Sequence, residues 1–525
     1  MRKLRIGVID VLGKTTSRTL YARAMRANRM SIMPQAVAVW CEEEGHDVFF
    51  GYYNGYENMI EELPETLDLV FMGAFTHSAQ LVYALSNKFR SGGAVTVLGG
   101  PHARGFPEDA QKYFDYVLGF TDKAIVRDIV QDCAPHRPVG MHLSAAQQPA
   151  HVPGVRARWK YIERGLRKAP LVKGVPMIGS LGCPYTCSFC IDALVPYQPL
   201  DFEEMKGDLR FLRTKFKKPF VGWHDPNFGV RFDDYLGMIE EAVPPNSIDF
   251  AAESTLSLLS EKNMKRLKKN GFKAILPGIE SWYEMGYKAK ARKTTGMDKV
   301  KQVAEQANMI MSYVPYFQAN FVLGLDCDDG PEPWELTKTF LDLAPGSFPA
   351  YSMLTAFGRS APLNLEYQRQ ERMVAFPFHF INCNGAMNVR PKNYSWPEFY
   401  DHVVDVNEHA FGPSGMRKRF RANRGFVPRT LNLMRAFSSM TYPNPKGWGE
   451  TRYYREVRRR LDADVPFRKF FEQETNEIPS FFMNIMKRDL GPMWHWLPEG
   501  ALHHDPYTYL KSETLVEPSL SVATA

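Results

Sequence analysis

Cysteine is scarce in this chain: seven in 525 residues, an odd number without paired spacing. That excludes a disulfide framework as the organising device of a chain this long. Long hydrophobic runs are missing as well, and no window approaches the roughly eighteen apolar residues that span a bilayer. Charge of one sign is thin. The 65 Lys and Arg against 58 Asp and Glu leave a formal charge of +7 over the whole length, too diffuse to mark a nucleic-acid or membrane-surface binder. The opening MRKLRIGVIDVLGK has a basic start, but Asp10 interrupts its apolar run at once, so it reads as a first strand and not as a signal peptide. No export signal and unpaired thiols together predict a cytoplasmic protein. A phosphate loop is lacking too. GKTTS follows the first strand, yet the residue five before Gly13 is Val8, and Gly7 stands one position too early for the Walker spacing.

What is present is the composition of a globular protein, 44% hydrophobic and 23% charged, long enough for two to three domains. Three of the sparse cysteines crowd into SLGCPYTCSFC: Cys183, Cys187 and Cys190, with Phe189 just before the last. A structural zinc site wants four ligands, usually as two knuckles, and no second knuckle exists. Cys41, Cys133, Cys327 and Cys383 are scattered singly, like small buried hydrophobes. Three close thiolates with no fourth suit a cubane iron–sulfur cluster that leaves one iron open to a small molecule.

Around this loop the chain alternates strands and helices. Strand-like runs occur at 4–10, 47–53, 67–75, 94–100 and 116–120, nearly all apolar, as expected where both sheet faces are covered. They predict an N-terminal doubly wound parallel sheet over residues 1–135, Rossmann-like, with its ligand beyond the strand ends at the loops of Gly13, Thr76 and Gly99. Residues 136–172, rich in Pro and basic side chains, read as a linker. A second alternation begins at 175–182 and continues through 219–229, 248–255, 272–281 and 316–326. The region 346–525 is dense in aromatics and Pro, with helical segments after about 396. Tyr394, Trp396, Phe378 and His379 in it are either pocket residues or an ordinary aromatic core. Its last stretch reads as a tail.

C-x3-C-x2-C with an aromatic before the third cysteine resembles the signature of radical S-adenosylmethionine (SAM) enzymes. The resemblance implies that Cys183, Cys187 and Cys190 hold a [4Fe-4S] cluster whose open iron is chelated by SAM, which is cleaved to a 5′-deoxyadenosyl radical. It also implies a partial (β/α)6 barrel over 173–345 and a C-terminal region, mainly helical, that closes the mouth. Position matching carries Phe189, Asp225, Glu253, Glu280, Ser281 and Asn320 over as SAM contacts, with one member of the run Lys288, Lys290, Arg292 and Lys293 meeting the SAM carboxylate. The domain order and the glycine loops resemble the cobalamin-binding domain that precedes the barrel in one subgroup, so Thr76, Ser78, Gly99 and Gly100 are expected to face cobalamin, with the cobalt over Leu12–Thr16. The histidine such domains use as lower ligand is absent from DVLGKTTS. Three readings follow: a cobalamin-dependent methyltransferase acting on an unactivated carbon of a small biosynthetic molecule; a radical SAM enzyme with a vestigial cobalamin domain, catalysing a cyclisation, oxidation or rearrangement; and a nonenzymatic iron–sulfur or corrinoid binder. An electron donor such as flavodoxin or ferredoxin is the expected partner of an enzyme.

Overall fold

The computed structural model describes residues 2–14, 21, 30–53, 55, 62–169, 172–283, 294–440 and 449–508. The run Lys288–Lys293, the loop positions Thr15 and Thr16 and the final stretch expected to be a tail lie outside the described residues.

Apolar runs too short for helices build two parallel sheets. The first contains β1 (Arg5–Val11), β2 (Asp47–Tyr53), β3 (Leu69–Ala74), β4 (Val95–Gly99), β5 (Tyr116–Leu118) and β6 (Met141–Leu143), in the order β2-β1-β3-β4-β5-β6. Every pairing is parallel. Both faces of β1 are sealed, from Ile6 to Val11, which is why its sequence does not alternate. Strand order reverses between β1 and β3, so a crevice opens beyond their carboxyl ends.

The sheet runs past the expected boundary at 135. β6 lies in the stretch read as a linker, where Met141 and His142 are exposed and give no apolar signal. The rest of that stretch is also built into the fold. Buried Arg158 donates to Pro153 O at 2.7 Å, to Gln35 Oε1 of the first domain at 2.8 Å and to Pro176 O of the next strand at 3.5 Å.

The second sheet is a partial barrel of six parallel strands, β7 (Gly174–Met177), β10 (Phe220–Trp223), β11 (Asp249–Thr255), β12 (Phe272–Glu280), β13 (Tyr316–Leu323) and β14 (Phe348–Met353), in the order β14-β13-β12-β11-β10-β7. β14 stands beyond the expected limit at 345, since its FPAYSM reads with the aromatic, proline-rich region after it. A small antiparallel pair, β8 (Ser180–Leu181) with β9 (Gln198–Pro199), brackets the cysteine loop.

Helices dominate after residue 396, beginning with Trp396–Phe411, which opens on a capping box between Ser395 and Glu398. The four aromatic and histidine candidates of this region serve the core. Trp396 Nε1 donates to Phe471 O at 3.0 Å, Tyr394 OH donates to Gly330 O at 2.8 Å, and His379 pairs with buried Asp489 at 3.0 Å. Phe378 stacks on His504 with ring centroids 4.1 Å apart. The segment Gly491–Trp496 and the residues just after it return to the first domain, where Gln80 donates to Ala501 O at 3.3 Å and Asn87 to Trp496 O at 2.9 Å.

Candidate cluster and cofactor site

The cysteine loop is anchored at both ends. At its start, Gly182 adopts φ +67°, and any Cβ there would run into the backbone carbonyls of Val195 and Pro196 as the loop returns; glycine alone satisfies both demands. Just before it, the Asp225 carboxylate accepts from Gly179 N at 3.1 Å, Ser180 Oγ at 2.7 Å and Tyr235 OH. Burial pushes this carboxyl's pKa up, against those hydrogen bonds. Asp225 thus holds the loop's first turn against the barrel wall. Inside the loop, Cys190 N donates to Cys187 O at 2.9 Å, and Asp192 N donates to the Cys190 sulfur at 3.5 Å. Cys187 is buried, while Cys183 and Cys190 are half-buried.

These residues fit an iron–sulfur cluster by their donor chemistry: three thiols, no imidazole or carboxylate among them, and a backbone N–H directed at one sulfur. Among the described residues no group of His, Cys, Asp and Glu is arranged around a single metal ion.

Carboxyl ends of barrel strands surround the loop. Glu253, in β11, is exposed between buried Ala252 and Ser254, hence on the face turned away from the helices. Glu280, the last residue of β12, takes φ +66°, in the left-handed region that non-glycine residues avoid. A Cβ at Gly278 would collide with the Glu280 carboxylate, so the glycine makes room for that side chain. Asn320 lies opposite Gly278 in register, and a polar ladder rises along β13 from Tyr316 through Gln318 to Asn320, at 3.2 and 2.8 Å. Ser281, by contrast, is buried and donates to Asp328 at 3.0 Å; desolvation pushes that aspartate up to about 6. Phe189 packs half-buried against the core. Glu253, Glu280 and Asn320 thus stand on β11, β12 and β13, and Asp225 and Ser281 are hydrogen-bonded into the wall beside those strands.

At the carboxyl ends of the first sheet, Thr76 and Ser78, both buried, follow β3, while Gly99 ends β4 and Gly100 comes directly after it. Their demands differ. Gly100 has φ +95° and its Cβ would sit 2.9 Å from Ala74 O, while a Cβ at Gly99 would meet nothing nearer than Leu118 at 4.0 Å. Both nearby histidines are engaged within the protein. His77 Nε2 lies 2.7 Å from Leu12 O, and fully buried His102 lies 2.6 Å from Tyr83 OH, which donates on to Asp109 at 2.9 Å.

Sequence reasoning missed the contacts that join the first domain to the cluster loop and to the segment after β14. Arg104, just past Gly100, faces Asp192 of the cysteine loop at 3.8 Å. Arg359 pairs with Glu108, and its N–H donates to Gly105 O at 3.0 Å. Partners scores or hundreds of residues apart leave no local trace in sequence.

Comparison with known proteins agrees with this geometry. Residues 177–318 match the model of the Radical SAM superfamily. Bacteriochlorophyllide d C-8(2)-methyltransferase of Chlorobaculum tepidum is 24% identical over 41% of this chain, and the chain spans only 50% of that relative. Bacteriochlorophyllide d C-12(1)-methyltransferase of the same organism is 19% identical over 67% of the chain and 77% of the relative. Among solved structures, the radical SAM methyltransferase TsrM from Kitasatospora setae, with tryptophan and a SAM analogue bound, superposes with TM-score 0.53 at 12% identity, covering 90% of this chain and 98% of its own. OxsB, a cobalamin-dependent radical enzyme with aqua-cobalamin bound, gives TM-score 0.53 at 11% identity over 94% and 80%. At such identities the solved structures speak for the fold. Residues 177–318, which contain the cysteine loop, therefore match the Radical SAM superfamily, and the chain as a whole shares the fold of TsrM and OxsB.

Proposed function

We propose that the chain is a cobalamin-dependent radical SAM methyltransferase acting on an unactivated carbon of a small biosynthetic molecule. One observation carries the reading: the cysteine loop is tied through Asp192 to Arg104, four residues past Gly100, in the short helix that follows the glycine pair. A corrin held in the crevice of the first sheet and a cluster held in that loop would share one chamber. When bound, the cluster supplies the electron that splits SAM into methionine and a 5′-deoxyadenosyl radical, and the corrin carries the methyl group. The residues of the chain bind, orient and seal. Cys183, Cys187 and Cys190 hold the irons, and the Asp192 N–H steadies the Cys190 sulfur. Glu253, Glu280 and Asn320 offer oxygens to the SAM ammonium and ribose hydroxyls. Phe189 offers a ring face to adenine. Thr76, Ser78, Gly99 and Gly100 receive the corrin tail, and the region from 346 onward keeps water from the radical.

Both curated relatives are named as methyltransferases of a tetrapyrrole, which supports a planar, largely apolar methyl acceptor. A reduced flavodoxin or ferredoxin is the proposed electron source, since each reductive cleavage consumes one electron. The test is anaerobic reconstitution with iron, sulfide, hydroxocobalamin and SAM bearing a labelled methyl group. Formation of 5′-deoxyadenosine under reductant, with label appearing in the bound corrin, supports the proposal. Cleavage of SAM by a protein that retains no corrin overturns it in favour of the vestigial-domain reading.

A further inference from the structure

A buried amide side chain without hydrogen-bond partners costs desolvation free energy, so proteins seldom keep one. Two stand on the helix Pro362–Arg369. Asn364 and Gln368 are 2% and 1% exposed, and their four-residue spacing puts them on one helical face. Asn364 Nδ2 and both Nε2 and Oε1 of Gln368 have no partner within the protein. Among the described residues Gln368 is the only amide with both polar atoms so placed.

Two contacts fix where this helix lies. Leu363, adjacent to Asn364, donates its N–H to Ser188 O at 3.0 Å, inside the cysteine loop between Cys187 and Phe189. Tyr367, three residues beyond Asn364 on the same face, packs 5.0 Å from the Arg372 guanidinium. That guanidinium clasps Asp326, in the loop after β13, at 2.7 and 2.8 Å. The helix therefore lies between the cluster loop and the loop that follows β13.

We propose that Asn364 and Gln368 form a binding site for a neutral planar edge that presents an acceptor and a donor side by side. The pair supplies two N–H donors and a carbonyl acceptor but no charge, and the neighbouring Arg372 is already neutralised by Asp326, so a carboxylate or phosphate finds no counterion. Asn and Gln read the N6/N7 edge of adenine in this way, and a carboxamide offers the same pattern. The inference rests on the reading of this chain as a SAM- and corrin-using enzyme. Two sources follow from it: the adenine of SAM, and the carboxamide arms on the rim of a corrin.

The test uses full-length Gln368→Met and Asn364→Leu proteins, each close in volume to the original. Removing an amide that has no protein partner leaves the melting temperature of the cofactor-free protein unchanged or higher, whereas loss of a structural hydrogen bond lowers it. Affinity for S-adenosylhomocysteine, which is not cleaved, is measured by calorimetry on the cluster-loaded protein, and affinity for hydroxocobalamin by absorbance titration. A loss of about tenfold or more in the first assigns the pair to adenine, and in the second to the corrin rim. Wild-type-like affinity for both ligands in both variants overturns the proposal. Wild-type protein that binds neither ligand would instead sink the functional reading beneath it.

Discussion

Cys41 and Cys187 are both buried thiols, yet their neighbours give them different work. Cys41 sits fully buried in the helix Ile32–Glu43, where burial pushes its pKa far up and keeps it an inert hydrophobe. Cys41→Ala should cost on the order of 1 kcal/mol and leave cluster absorption intact. Replacing Cys183, Cys187 or Cys190 by Ala should abolish both the visible absorption of the reconstituted protein and its release of 5′-deoxyadenosine. A Cys187→Ala protein that still cleaves SAM would refute the assignment. His102 lends itself to a pH experiment. Burial, and after it the proximity of His504, pushes its pKa down to about 3, from 6.5 when unperturbed. Between those values the unfolded chain binds a proton that the folded one does not, so stability is fully present above about pH 6.5 and drains away as pH falls toward about 3. His102→Gln should therefore lose less melting temperature than wild type on going from about pH 7 to about pH 5; an equal loss would show that His102 is not the group responsible. Legibility at this scale follows spacing. The three thiols announce themselves because a short loop carries the whole ligand set. Gln368 does not, because a glutamine in a helix is ordinary and only its lack of partners in the fold sets it apart; the hold of Asp225 on Ser180 and Tyr235 likewise leaves no local trace.

Strands were legible where their residues are largely apolar and illegible where they are exposed or set in a proline-rich stretch. β2 reads directly from DVFFGYY, and β11 and β12 from IDFAAEST and FKAILPGIES. β6 escaped because two of its three residues are exposed, and β14 because its second residue is a proline. At the turn after β4 two adjacent glycines make opposite predictions. Gly100→Ala should destabilise the protein by roughly 1–3 kcal/mol, since its φ is positive and the new Cβ presses on Ala74 O. Gly99→Ala should leave the melting temperature near wild type, because its Cβ meets only Leu118 at van der Waals distance. A larger residue such as Gly99→Leu should then weaken hydroxocobalamin binding while the fold survives; unchanged corrin affinity would remove Gly99 from the binding crevice. The turns also bear on the lower face of the corrin. With His77 held at Leu12 O and His102 held at Tyr83 OH, the Co(II) form should show no nitrogen splitting in its electron paramagnetic resonance spectrum. A nitrogen-split signal would mean either that one of these histidines leaves its partner or that the corrin's own nucleotide base takes the lower face, and the spectrum of a His77→Ala protein separates the two.

At the scale of the whole molecule the parts are interlocked by groups that no motif predicts. Arg158 joins the first domain, the connecting stretch and β7 through three buried hydrogen bonds. Arg158→Met should cost on the order of 3 kcal/mol by orphaning those acceptors, and thermal unfolding followed by calorimetry should broaden or split as the two sheets lose their common tie. A single sharp transition at the wild-type temperature would show that the tie is dispensable. The return of the chain to its first domain has a consequence for biogenesis. Gln80 and Asn87 lie on the helix Ala79–Ser91 and find their acceptors at Ala501 and Trp496. While the ribosome is still making the barrel, that face of the first-made domain waits uncovered for a segment synthesised some four hundred residues later. The nascent chain must cross most of its translation with this seam open, and a truncated product that ends before Gly491 leaves it open for good.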